Sequence, residues 1–178
     1  MPDVAEIENI MMLEGVIRTV ARVHGKDDVR AFSHVRGNIL KLFKAELRQQ
    51  AVEHNPPPVE MMHTRHQVKR TIEVVVDRRF QNINALEDHL DHLGQEIRPR
   101  AIYEGLCRDF NCYVQEGDYR SVLRVYNQKT MLVQSNVAQL CGCQNKDEYI
   151  KSIFTILQRD NADSAAIRAA IKQCLEID

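Results

Sequence analysis

Apolar residues recur along this chain at three- and four-residue steps, the spacing that lines one face of an α-helix, and strict alternation is rare. Between Val4 and Val23, the residues Ile7, Ile10, Met11, Leu13, Ile17 and Val20 keep that spacing and Gly25 supplies a stop, which predicts a first helix of about five turns. Asp27 or Asp28 can cap a longer second helix reaching His54, with Val29, Phe32, Val35, Ile39, Phe43 and Leu47 as its inner stripe. Pro56-Pro57-Pro58 ends it. Beyond the prolines, Glu60 to Arg70 fits a short helix. Thr71-Ile72-Glu73-Val74-Val75-Val76 is rich in β-branched residues, and a short strand or extended segment near 71–77 fits it equally well. Ala85 to Gln95 predicts a helix on Leu86, Leu90 and Leu93, and Pro99 opens the next, on Ile102, Leu106, Phe110 and Val114. Gly117-Asp118 marks a turn, after which Tyr119 to Tyr126, Met131 to Leu140, Lys146 to Leu157 and Ser164 to Leu175 read as helices. The expected fold class is mainly α, a compact set of about eight or nine helices with connections of ordinary length.

A length of 178 residues suits one hydrophobic core, so residues 1–178 are expected to form a single helical domain. With 44% hydrophobic residues, 28% charged residues and only 7 Gly, the composition argues against disorder and against a loop-rich β-sandwich. No fixed-period repeat suggests a solenoid. No apolar run approaches the roughly 20 residues that span a bilayer, and Met1-Pro2-Asp3 does not open a signal peptide. A cytoplasmic protein without membrane partners is the expectation, and its 5 Cys are expected to stay reduced.

The formal charge of -1 excludes overall basicity but conceals a polarity. Residues 26–80 hold eleven Lys/Arg against seven Asp/Glu, while residues 81–118 hold eight acids against three Arg; the C-terminal helices, 119–175, follow. On the second helix, Arg30, His34, Lys41, Lys44 and Arg48 fall within about 40° of one line, opposite Phe32, Ile39 and Phe43. Such a ridge can lie along a phosphate backbone or an acidic partner, or simply be a solvated helix face. Arg36 projects beside the apolar stripe, so it must snorkel, find a carboxylate or serve a site. Arg65, Lys69 and Arg70, with His63 and His66, add a second cationic cluster.

Other constellations are poorer in chemistry. His89 and His92 stand three apart but lack specified third and fourth metal ligands, and Cys141-Gly142-Cys143 with Cys107 and Cys112 matches no zinc spacing. Nucleophile elbow, phosphate loop and dinucleotide fingerprint are all absent, and no catalytic residue is assigned. Ala138-x-x-x-Gly142 followed by a helix loosely matches a helix-turn-helix, but Tyr149, Ile150, Ile153, Phe154 and Leu157 form an apolar face there. Only Lys146, Lys151 and Gln158 are left to reach nucleic acid, so plain helical packing is the better reading.

Two segments resemble parts of the TOPRIM-type, OLD-like nucleases that accompany ABC/SMC-like ATPases in bacterial phage defence. Glu6-Ile7-Glu8-Asn9-Ile10-Met11-Met12 is similar to the Ile-Glu-Asn run that follows the catalytic Asp-x-Asp in that family. Val125-Tyr126-Asn127-Gln128-Lys129-Thr130-Met131-Leu132 and Lys146-Asp147-Glu148-Tyr149-Ile150 look like its helical tail. The resemblance implies a Mg²⁺-dependent phosphodiesterase in which Glu8 is the one carboxylate carried over as a metal ligand and Lys129 serves nucleic-acid or partner binding. The family's strand-bound Glu and its Asp-x-Asp have no counterpart here. The resemblance therefore implies the C-terminal helical portion of such a nuclease, inactive alone, docking DNA, RNA or an ATPase and able to form oligomers. The competing expectation is a helical interaction or nucleic-acid-binding module unrelated to nucleases.

Overall fold

The computed structural model describes residues 7–53, 99–126 and 128–175, with side chains described over 8–47, 104–126 and 128–175. Among them a 3-10 turn, Ile7–Met12, precedes eight α-helices: α1 Glu14–Val23, α2 Asp28–Glu53, α3 Pro99–Glu116, α4 Tyr119–Val125, α5 Met131–Gln134, α6 Val137–Leu140, α7 Lys146–Leu157 and α8 Ala162–Leu175. The described part is mainly α, as the periodicity predicts, and contains no strand. The expected helices at Glu60 to Arg70 and Ala85 to Gln95, and the segment near 71–77, lie outside the described residues.

Helix α1 is the hub. Its Val16, Ile17, Val20 and Ala21 are wholly buried, and it packs against α2, α7, α8 and the 3-10 turn. Gly15 lets α8 approach closely, since a Cβ there would stand 2.8 Å from the Ala170 Cβ. Val35, Ile39 and Phe43 of α2 close the core on the other side, where Phe43 meets the rings of Phe110 and Tyr126 edge-on or tilted. Four of the described helices begin on side-chain caps, that of α8 being Asn161, whose Oδ1 accepts from the Ser164 amide. Asp27 Oδ1 accepts from the Arg30 amide, Asp118 Oδ1 from that of Ser121 and Asn145 Oδ1 from that of Glu148.

Two expectations are corrected. The segment Val4 to Val23 is not one helix: Leu13 is extended (φ -60, ψ 142) and separates the 3-10 turn from α1. The cause lies far away in sequence. The Tyr119 hydroxyl donates to the Met12 carbonyl (2.6 Å), the Tyr149 hydroxyl donates to that of Met11 (2.8 Å), and Asn9 Nδ2 donates to the carbonyls of Leu123 and Tyr126 (both 3.0 Å). The Met11 and Met12 carbonyls, which a continuous helix would use internally, are claimed by the two tyrosines instead, while Asn9 ties the turn to the end of α4. Likewise Met131 to Leu140 is two short helices, because Asn136 adopts a left-handed conformation (φ 58) between them. The Ser135 carbonyl at this break accepts from Asn38 Nδ2 of α2 (2.9 Å), tying the corner to the long helix.

Individual residues of two stripes also turn outward. Val29, at the start of α2, is 59% exposed and Phe154 of α7 is 54% exposed.

Candidate functional site

The outward face of α2 carries the ridge that the helical wheel predicts. Arg30, His34, Lys41 and Lys44 are all exposed, while Ala31, Val35, Ile39 and Phe43 on the opposite side are buried. The Asp27 cap fixes the first turn of α2. The acids near the start of α2 are engaged elsewhere. Asp27 holds the Arg30 amide, and Asp28 Oδ2 accepts from Arg18 Nε at 2.9 Å. That guanidinium, by its hydrogen bond, holds the Asp28 carboxyl below the usual carboxylate range. Among the described residues, Arg30, Lys41 and Lys44 have no ion-pair partner.

His34 joins the row through its Nδ1, 2.8 Å from the Arg30 carbonyl oxygen. A carbonyl only accepts, so the proton belongs on Nδ1 and Nε2 is left available to solvent or a ligand. At this end of the row, Lys26, Arg30 and His34 line a shallow hollow of about 400 Å³ floored by Ala31 and Leu140. Lys26 is the contribution that the helical wheel misses, because it sits in the α1–α2 connection; its signal is its place one residue before the capping acid.

The remaining sequence candidates fall elsewhere. Arg36 does not belong to the row: its Nε and Nη2 donate to the Gly117 carbonyl (3.2 and 2.5 Å), closing the end of α3. Gly117 stands there at φ +66, and a Cβ on it would meet Arg36 Nη2 at 2.9 Å. The ion pair considered for Arg36 is thus a guanidinium-to-carbonyl contact. Lys129 is exposed in the connection before α5. The Arg48 side chain, all of Arg65, Lys69 and Arg70, and the histidine pair His89 and His92 lie outside the described residues. Glu8 is exposed on the 3-10 turn with Lys146 Nζ at 3.9 Å. Among the described residues no three His, Cys, Asp or Glu side chains converge as a metal site would require.

Around Cys141-Gly142-Cys143 both thiols are buried, and burial pushes that of Cys141 up to about 12. Cys141 Sγ donates to the Ile17 carbonyl at 3.6 Å, and His24 Nε2 lies 2.8 Å from Ser152 Oγ and 3.7 Å from Cys143 Sγ. This cluster joins α1 to α7. Protonated, buried thiols are packing elements rather than nucleophiles. Helix α7 directs Tyr149, Ile153 and Ile156 into the core, in keeping with plain packing rather than a recognition helix.

Known protein families, curated proteins and solved structures contain no match to this chain. No described helix is long and apolar enough to cross a membrane.

Proposed function

We propose that this chain is a helical docking module that holds a nucleic-acid backbone along the outward face of α2. The observation that carries the reading is a row of exposed cations, Arg30, Lys41 and Lys44 with His34 between, which no described acid neutralises. Arg30 and Lys44 are fourteen positions apart on α2, so the row extends about 21 Å at the α-helical rise. Each cation that displaces a condensed counterion from a phosphate gains binding free energy from ion release. The row contains no Phe, Tyr or Trp to stack on an unpaired base, and its lysines act as point charges rather than base-edge readers. Duplex bound without sequence preference is the class of ligand it suits.

The TOPRIM-type resemblance extends this proposal, making the same face the DNA-holding tail of an ATPase-associated defence nuclease. Among the described residues the surroundings of Glu8 do not fit Mg²⁺, since the charged group beside it is a lysine ammonium and no second carboxylate converges on it. We assign it no metal step. Fluorescence anisotropy of a labelled mixed-sequence duplex in low salt tests the docking role. Wild type is expected to bind, and Arg30→Glu/Lys41→Glu/Lys44→Glu is expected to lose binding with its helix content intact. Equal binding by the two proteins would remove the proposal.

A further inference from the structure

A second concave feature lies away from the cationic row and uses none of Arg30, Lys41 or Lys44. It is a cleft of about 450 Å³ where the start of α1, the middle of α2, the α3–α4 turn and the end of α8 meet. That volume falls in the range of about 300–1,000 Å³ typical of small-molecule sites. Leu13, Phe32, Leu123 and Ala170 give it an apolar floor. Phe32 is held edge-to-face on Tyr119 (centroids 5.3 Å apart, planes at 85°), and the Tyr119 hydroxyl is itself fixed on the Met12 carbonyl. The floor is thereby kept from collapsing inward.

The lip carries both signs of charge. Arg36 and Arg120 supply the cations, and Glu14, Glu116 and Asp118 the anions. Several of these charges are fixed in place. Arg36 is tethered by the Gly117 carbonyl, Asp118 by the Ser121 amide at 3.1 Å, and Glu14 by Arg18 at 3.2 Å. The Ser121 contact also keeps the Asp118 carboxyl below its usual range and so ionised at neutral pH. A phosphate or a simple carboxylate would face three like charges, and a simple amine two. A head group bearing both signs can place each against its opposite.

We infer that this cleft binds a small zwitterion with a compact apolar body, an apolar α-amino acid, its charged head at the lip and its side chain on the Leu13, Phe32 and Leu123 floor. An amide NMR titration of the full chain with L-phenylalanine and with L-leucine tests this. Phenethylamine and hydrocinnamate, which each keep one charge of the phenylalanine head, serve as controls. At least one amino acid is expected to give saturable shifts confined to residues around the cleft, at millimolar concentration, with both single-charge analogues weaker. Arg120→Glu is expected to weaken that binding by about tenfold, the size of one charge-assisted hydrogen bond. Gln173→Trp, which fills the mouth, is expected to abolish it; should that variant fail to fold, Arg120→Glu decides. Absence of saturable shifts with both amino acids, equal binding by either analogue, or unaltered binding by Arg120→Glu would each overturn the inference. Duplex binding on α2 is scored separately, so neither result depends on the other.

Discussion

Across Ile7–Met12 the Met12 and Met11 carbonyls accept from the Tyr119 and Tyr149 hydroxyls, and Asn9 in turn donates to the Leu123 and Tyr126 carbonyls, each partner lying between 107 and 138 residues away in sequence. Along the outward face of α2 the backbone is helical throughout, and the charged side chains have no described acidic partner. In the first region Asn9 and the Met11 and Met12 carbonyls are answered by partners inside the fold, so each of these contacts is costly to remove. In the second, Arg30, Lys41 and Lys44 contribute little to holding the chain together, because exposed charges in water are weakly coupled to the fold. The difference separates residues that build the scaffold from residues left for a partner.

The comparison would break most visibly at Asn9. Asn9→Ala strips two buried carbonyls, those of Leu123 and Tyr126, of their donor. A loss of about 3 kcal/mol is expected in urea unfolding, with a Tm lower by about 8 °C. Tyr149→Phe and Tyr119→Phe each leave one acceptor unanswered and are expected to cost about 1–2 kcal/mol, readable by the same measurement. Asp118→Ala removes the α4 cap and should cost about 1 kcal/mol, whereas Asp118→Asn should retain most of the cap. Asp118 also sharpens the pH behaviour. Its folded carboxyl is held below the usual carboxylate range by Ser121, and that of Asp28 by Arg18. The unfolded chain therefore takes up protons first as acid is added. The stability these groups contribute is full above about pH 4 and falls away below it, as the pH passes through their folded values. Asp118→Asn should flatten that acid limb and give up at neutral pH only the small part of the stability that the ionised carboxyl supplies, as followed by thermal melts across pH. The smallest expected effect on stability is Lys41→Glu/Lys44→Glu, within about 0.5 kcal/mol by urea unfolding.

Much of the fold was legible wherever its signals are local. The Asp27 cap, Pro99 at the head of α3 and the Gly117-Asp118 turn all lie within a few residues of the boundaries they set. Periodicity alone could not foresee the break at Leu13, because an uninterrupted apolar spacing gives no hint that two distant tyrosines will claim the Met11 and Met12 carbonyls. The same holds for Asn136, whose left-handed turn is tied to α2 through Asn38. Of the candidate site, the α2 row was legible because 100° per residue places its members on one line. The fate of Arg36 was not, since its acceptor is a backbone carbonyl 81 residues away, and Lys26 escaped because a wheel drawn for α2 stops short of it. The Glu8 metal role came from a resemblance, and local structure gives that side chain a lysine neighbour.

The most direct test of the separation between scaffold and docking face is the salt dependence of duplex binding. With Arg30, Lys41 and Lys44 engaging three phosphates, log Kobs against log salt should fall with a slope of about -2.7. Lys41→Glu/Lys44→Glu, unfolding at the wild-type urea midpoint, should reduce the slope to about -1 or abolish binding outright. An unchanged slope and affinity in that variant would contradict the account.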